Sequence, residues 1–193
     1  MIKLGLTGNI GSGKTTVSKV FESLGVPIFY ADKEAKKLYS LDPVKERVLL
    51  LFGKSTINDL GEIDFKLLSD IVFKDKNKLE QLTNIIHPLV FKNYHMWLET
   101  IQQQDYSIHE SAIIYEYSQQ KYFDKVICVS APYELRVQRI IERDKTTLDK
   151  VEERIRNQMN ETEKISLSDF VIVNDEKSFI IKQVMEIHNN LKE

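Results

Sequence analysis

The chain is 193 residues long, enough for one α/β domain with insertions and short for two independent cores. Apolar residues make up 42% and charged residues 29%, and 27 Lys and Arg face 29 Asp and Glu, so no overall field would draw in nucleic acid or an anionic membrane. A single cysteine excludes an internal disulfide, the four histidines are scattered without a zinc-site spacing, and no apolar run reaches membrane-spanning length, so a reducing, cytoplasmic setting is expected.

The chain opens on a short apolar run, Ile2–Thr7, suited to a buried strand. Residues 8–15 then read Gly-Asn-Ile-Gly-Ser-Gly-Lys-Thr, which fills every fixed position of G-x-x-x-x-G-K-[ST]. Val17, Val20, Phe21 and Leu24 follow at helical spacing, with Gly25 where a left-handed helix end is wanted. Strand, glycine-rich loop and helix in that order form a phosphate-binding loop. Glycines let successive backbone N–H groups converge on one anion, and the helix adds the positive end of its dipole. Lys14 is suited to the β- and γ-phosphates and the Thr15 hydroxyl to Mg²⁺. Such a loop predicts binding of a nucleoside triphosphate.

Further strands are predicted over 27–30, 106–110, 126–130 and 170–173, and they alternate with helical patterns. That alternation implies a parallel five-stranded sheet with crossover helices. Between them, residues 33–104 hold no strand pattern. Leu67, Leu68, Ile71 and Val72, then Leu79, Leu82, Ile85 and Ile86, recur at helical spacing, which predicts a helical subdomain laid over the carboxyl edge of the sheet. Within it, Pro88 suits a first helical turn, so His87 reads as a cap or packed group, with a substrate contact as the minor alternative. Asn77-Lys78-Leu79-Glu80 superficially matches the guanine-reading N-K-x-D motif. Its flanking lysines and final Glu mark it as a charged helical stretch instead, which argues against a GTP-dependent switch.

Ligands of open α/β sheets bind beyond the strands' carboxyl ends, and several residues fall there. Asp32 follows the second strand, as a carboxylate facing an acceptor hydroxyl or as a helix N-cap. Glu110 ends the third strand, where an acidic group could hold a metal-bound water. His109 alternates to the other face and reads as packing. Pro132 starts a helix on which Arg136, Arg139 and Arg143 share one face, either as phosphate clamps or as a solvated surface paired with Glu134 and Glu142. The next helix turns Val151, Ile155 and Met159 to one side, and the last carries Ile180, Val184, Ile187 and Leu191.

Taken in order, these segments resemble dephospho-CoA kinases over nearly the whole length. The resemblance runs through LTGNIGSGKTTVSKVFESLG, Ala31-Asp32, Ile86-His87-Pro88 and Glu110 to Glu116. It continues with Ala131-Pro132, Gln138-Arg139, Arg143-Asp144, Arg154 with Gln158, Lys164, and Asp169 to Asn174. It implies an α/β, three-layer P-loop NTPase fold of the nucleoside-monophosphate-kinase type. The core would be 1–32, 105–135 and 165–193, with a helical substrate-binding subdomain at 33–104 and a lid at 136–164. The implied reaction moves the γ-phosphoryl group of ATP to the 3′-hydroxyl of dephospho-CoA, giving coenzyme A. By position, the resemblance puts Gly11, Ser12, Gly13, Lys14, Thr15 and Thr16 around ATP and Asp32 at the ribose hydroxyl. Arg139 and Arg143 would serve as lid arginines, with Asn174 near the adenine and His87 at the substrate cleft. A small-molecule acceptor, Mg²⁺ and a monomer or small homo-oligomer complete the expectation, and the alternative is another small-molecule or nucleotide kinase of the same fold. The chain departs from the family pattern at Asn9 for glycine, Tyr30 and Glu110 for aspartate, Ala112 for proline and Phe65 for arginine.

Overall fold

The structure, a computed structural model, describes residues 1–72 and 74–192. Its strands are β1 (Ile2–Thr7), β2 (Ile28–Tyr30), β3 (Tyr106–Glu110), β4 (Lys125–Ser130) and β5 (Phe170–Val173). All pair parallel in the order β2-β3-β1-β4-β5. The sequence-predicted strands match these to within a residue. Helix α1 (Lys14–Ser23) follows β1 directly, and α9 (Ile180–Asn190) closes the chain. Alternate residues of the sheet, Leu4 and Leu6, Ile108, Ile127 and Val129, and Ile172, meet Val17 and Phe21 of α1 and Val184 and Ile187 of α9 in one buried core. The opposite residues pack elsewhere. His109 is 1% exposed and stacks on Phe29 with ring centroids 5.2 Å apart, which bears out its reading as a packed group.

Pairing register aligns the strands' carboxyl ends. Leu6 and Tyr30 both stand opposite Glu110, Thr7 opposite Cys128, and Ser130 opposite Val173. Whatever follows each strand therefore emerges along one edge, where the phosphate-binding loop also lies.

The chain divides into two compact units, residues 1–30 with 101–193, and residues 31–100. The second is helical: α2 (Ala31–Leu38), α3 (Asp42–Phe52), α4 (Phe65–Val72) and α5 (Lys76–Thr100). Its one pairing among the described residues is an isolated bridge between Ile57 and Ile63. Here the sequence reading needs correction. Pro88 does not open a helix but sits inside the 25-residue α5. Proline removes one backbone donor there. Leu82, Ile85 and Ile86 before it and Val90 and Tyr94 after it are all buried, and that packing carries the helix through. Asn77-Lys78-Leu79-Glu80 lies in the first turns of α5, as a charged helical stretch should.

Three more helices belong to the same unit as the sheet: α6 (Tyr133–Asp144), α7 (Leu148–Arg156) and α8 (Glu161–Ser166). Lys145, left-handed at φ 48°, ends α6 within the polar run 143–147. Met159 falls past the end of α7, so it does not extend that helix's apolar face as predicted.

Candidate active site

Residues 8–13 turn from β1 into α1 through three positive-φ glycines: Gly8 at 147°, Gly11 at 82° and Gly13 at 97°. At all three the protein itself closes in, Gly8 against the Val129 carbonyl oxygen. A Cβ on Gly11 would meet the Arg136 carbonyl oxygen at 2.6 Å, and one on Gly13 would collide with the Asn174 carboxamide. Gly13 is also the N-cap of α1, and no side chain caps it. No side-chain cap therefore competes with an outside acceptor at that helix end, as an anion site requires. Ser12 is fully buried with a hydroxyl that has no partner among the described residues. These features fit a bound polyphosphate.

Lys14 folds back on its own loop, and its Nζ donates to the Gly8 carbonyl at 2.9 Å. Thr15 and Thr16 are exposed at the start of α1. Asn174, just beyond β5, donates from Nδ2 to the Ser12 carbonyl at 2.8 Å. Arg139 joins them, reaching the Gly11 carbonyl at 3.4 Å, the Asn174 carbonyl at 3.3 Å and the Glu176 carboxylate at 3.1 Å. The structure therefore brings Gly11, Ser12, Gly13, Lys14, Arg139 and Asn174 together.

The expected arginine face does not form as one surface. Arg136 is only 4% exposed, donates from Nε to the Ala131 carbonyl at 3.1 Å and lies 3.7 Å from Glu161. Arg143 forks onto its neighbour Asp144 at 2.7 and 3.1 Å, and Arg154 reaches the same carboxylate at 2.7 Å. Together they hold Asp144 below the usual carboxylate range, Arg143 contributing most. Arg136 is buried, Arg139 lies against the loop and Arg143 is exposed, so three residues on one stripe meet three environments. The partners of the arginines are Glu161, Glu176 and Asp144, not Glu134 or Glu142.

Glu110 is 6% exposed at the end of β3, opposite Tyr30. The Tyr30 hydroxyl pKa is pushed up to about 12. Burial is the first cause, followed by a hydrogen bond to Glu22 and the charges of Glu22 and Glu110. Asp32 is exposed and is the second residue of α2, so it lies within the helix and not at the N-cap of the alternative reading. His87 lies in α5, where burial lowers its pKa to about 4, so the ring is neutral near pH 7. Phe65 packs edge-on against Tyr39 with centroids 5.1 Å apart, under the Lys36 ammonium at 6.0 Å. Among the described residues no three His, Cys, Asp or Glu gather to hold a metal. Mg²⁺ bound through substrate phosphates needs only one or two protein ligands, which Thr15 and Glu110 could supply.

Sequence reasoning missed the support behind the loop. Ile10 N–H donates to Gln158 Oε1 at 2.8 Å, and Asn9 Nδ2 to the Met159 carbonyl at 3.1 Å. Met159 N–H in turn reaches Glu116 at 3.0 Å. Glu116 pairs at 2.8 Å with the ammonium of Lys164, which is fully buried and also donates to the Ala112 carbonyl at 2.7 Å. No local pattern marks these residues, because each partner lies more than forty positions away in the chain.

A parallel sheet of this order with a glycine-rich loop between β1 and α1 defines a P-loop kinase. Comparison with known proteins narrows the class. A family model for dephospho-CoA kinase matches residues 2–179. A dephospho-CoA kinase of Aquifex aeolicus is 38% identical over 99% of this chain and 98% of its own, and one of Bacteroides fragilis is 37% identical over 96% and 91%. A crystal structure of a Thermus thermophilus protein superposes with TM-score 0.87 at 28% identity, covering 98% of this chain and 96% of that one. The chain belongs to the dephospho-CoA kinase family, whose members are transferases that phosphorylate dephospho-CoA.

Proposed function

We propose that this chain transfers the γ-phosphoryl group of ATP to the 3′-hydroxyl of dephospho-CoA, the last step in making coenzyme A. The carrying observation is the uncapped N-terminus of α1 behind three positive-φ glycines, in a chain that matches the dephospho-CoA kinase family over residues 2–179.

Phosphoryl transfer passes through a loose transition state, so the protein's work is alignment and charge neutralisation. In this reading the backbone of residues 11–16 cradles the phosphates, and Lys14 leaves the Gly8 carbonyl to meet them. Thr15 and Glu110 would hold Mg²⁺, which when bound would supply positive charge to neutralise the phosphates. Asp32 orients the acceptor hydroxyl and takes its proton late. Arg139, whose guanidinium already lies at the Gly11 carbonyl, steadies charge on the transferring group, and Asn174 borders the adenine. Arg143 joins when it exchanges Asp144 for phosphate. His87, kept neutral by burial, borders the acceptor without adding charge. No described helix is long and apolar enough to cross a membrane, in keeping with a cytoplasmic enzyme on a small-molecule substrate.

Incubation of the purified chain with Mg-ATP and dephospho-CoA, followed by mass analysis, tests the reading. One added phosphoryl group on the acceptor, at the 3′ position, supports it. An unchanged acceptor alongside phosphorylation of another small molecule in a parallel panel would replace it.

A further inference from the structure

The segment between α7 and α8 is fastened to the phosphate-binding loop at two points, Ile10 to Gln158 and Asn9 to Met159. Behind it stands the buried Lys164–Glu116 pair, which takes the Met159 N–H. Gln158 is thereby held at a fixed place beside the loop. Its Oε1 is occupied by the Ile10 N–H at 2.8 Å, while among the described residues nothing accepts from its Nε2. A carboxamide is planar and rigid, so anchoring the oxygen at Ile10 keeps the nitrogen's two N–H groups close to the loop. Given the bond length to Ile10, Nε2 lies within about 5 Å of that amide nitrogen. Ile10 immediately precedes the cradle residues 11–16. Gln158 is half-buried, so the unused donors remain accessible.

We infer that Gln158 is a further catalytic residue, which uses the Ile10 amide to orient its Nε2 as a donor to an oxygen of the transferring phosphoryl group. This rests on the kinase reading above and extends it. A donor fixed in advance is worth more as charge shifts in the transition state than in the resting complex. The carboxamide suits this task because one of its two polar atoms is consumed in positioning the other. A purely structural latch would need only the oxygen.

That difference supplies the test. Gln158→Glu keeps an acceptor for Ile10 and loses the donors, while Gln158→Ala loses both. Affinity for ADP and for ADP with aluminium fluoride, a mimic of the transferring group, is measured for wild type and both variants, with thermal midpoints as a check on folding. The expected result is at least a tenfold loss for the aluminium fluoride complex and less than a threefold change for ADP alone. Equal losses for the two ligands, or none, overturn the inference.

Turnover of Gln158→Glu relative to wild type is then followed from pH 8 to pH 5.5. A protonated carboxyl restores a donor, so the ratio should rise as pH falls toward the carboxylate range, and a ratio that does not rise also overturns the inference. The same ratio is read on the slow hydrolysis of Mg-ATP without acceptor. Failure of wild type to phosphorylate dephospho-CoA would count against the substrate reading, and the hydrolysis and binding ratios would still decide the role of Gln158.

Discussion

Asn174 and Ser12 lie 162 positions apart and are joined by a 2.8 Å hydrogen bond that ties the end of β5 to the phosphate-binding loop. The same carboxamide occupies the space a side chain at Gly13 would need. Gly13→Ala therefore meets two obstacles, the collision and a φ of 97° that costs an L-residue about 1–2 kcal/mol. Alone it should abolish nucleotide binding and lower the thermal midpoint. Adding Asn174→Ala removes the collision but not the backbone strain, so the double variant should regain part of the midpoint. A double variant less stable than Gly13→Ala alone would show that the carboxamide is not what excludes the methyl group.

Asp32→Asn separates alignment from binding. An amide of the same shape can still touch a hydroxyl but cannot take its proton. Turnover should fall by about 10²–10⁴-fold while ATP affinity, measured by titration calorimetry, stays close to wild type. Near-normal turnover would remove Asp32 from the role proposed for it.

Glu176 adopts a left-handed backbone at φ 65°, which glycine tolerates better, while its carboxylate holds Arg139 at 3.1 Å. The carboxylate is 62% exposed, so the pair contributes little to stability. Glu176→Gly should then raise the thermal midpoint by about 2–4 °C through relief of roughly 1 kcal/mol of strain. It also removes a carboxylate that competes with phosphate for Arg139. ATP should bind several-fold more tightly, with the gain shrinking as salt is added. Weaker binding would mean that Glu176 places Arg139 productively.

Lys164 is fully buried and its ammonium faces Glu116 at 2.8 Å. Lys164→Met would strand that carboxylate, and breaking a buried pair from one side costs about 3–5 kcal/mol. Urea denaturation should show such a loss, and Lys164→Met with Glu116→Gln should lose less than Lys164→Met alone. A loss below about 1 kcal/mol for the single variant would mean that water or a rearranged neighbour compensates Glu116.

Much of this molecule is written locally. Ile2–Thr7, the glycines after it and the helical stripe from Val17 each carry their own instruction, so strands, loop and the helical character of 31–100 are readable from the chain. Spacing offers Arg139 as a phosphate clamp, and Asn174 is placed near the adenine only through the family resemblance. What escapes is whatever depends on distant partners. Helical spacing places Arg136, Arg139 and Arg143 on one stripe, but spacing does not say that the Arg136 side chain is buried while that of Arg143 is exposed. Gln158 and Lys164 are marked only by the family resemblance, and what they do shows only once Ile10 and Glu116 are brought beside them. Pro88 misled for the same reason, since buried neighbours along α5 outweigh one lost backbone bond.

His87 makes stability depend on pH in a defined window. Burial lowers its pKa to about 4, against 6.5 in an unfolded chain. Above pH 6.5 the ring is neutral in both states and contributes no slope. Between 6.5 and 4 the unfolded chain takes up a proton that the folded chain refuses, so stability falls as pH falls, by up to about 3 kcal/mol near pH 4. His188 is also lowered, by burial and by Lys192, and acts in the same direction. The lowered carboxylates Asp144 and Asp175 lose their contributions only below about pH 4, as protonation overtakes them. The decisive quantity is therefore the difference between wild type and His87→Gln. Urea midpoints of the variant should vary less with pH between 6.5 and 4.5 and coincide in slope with wild type above 7. Parallel curves throughout would mean that the folded protein protonates His87 as readily as the unfolded chain does.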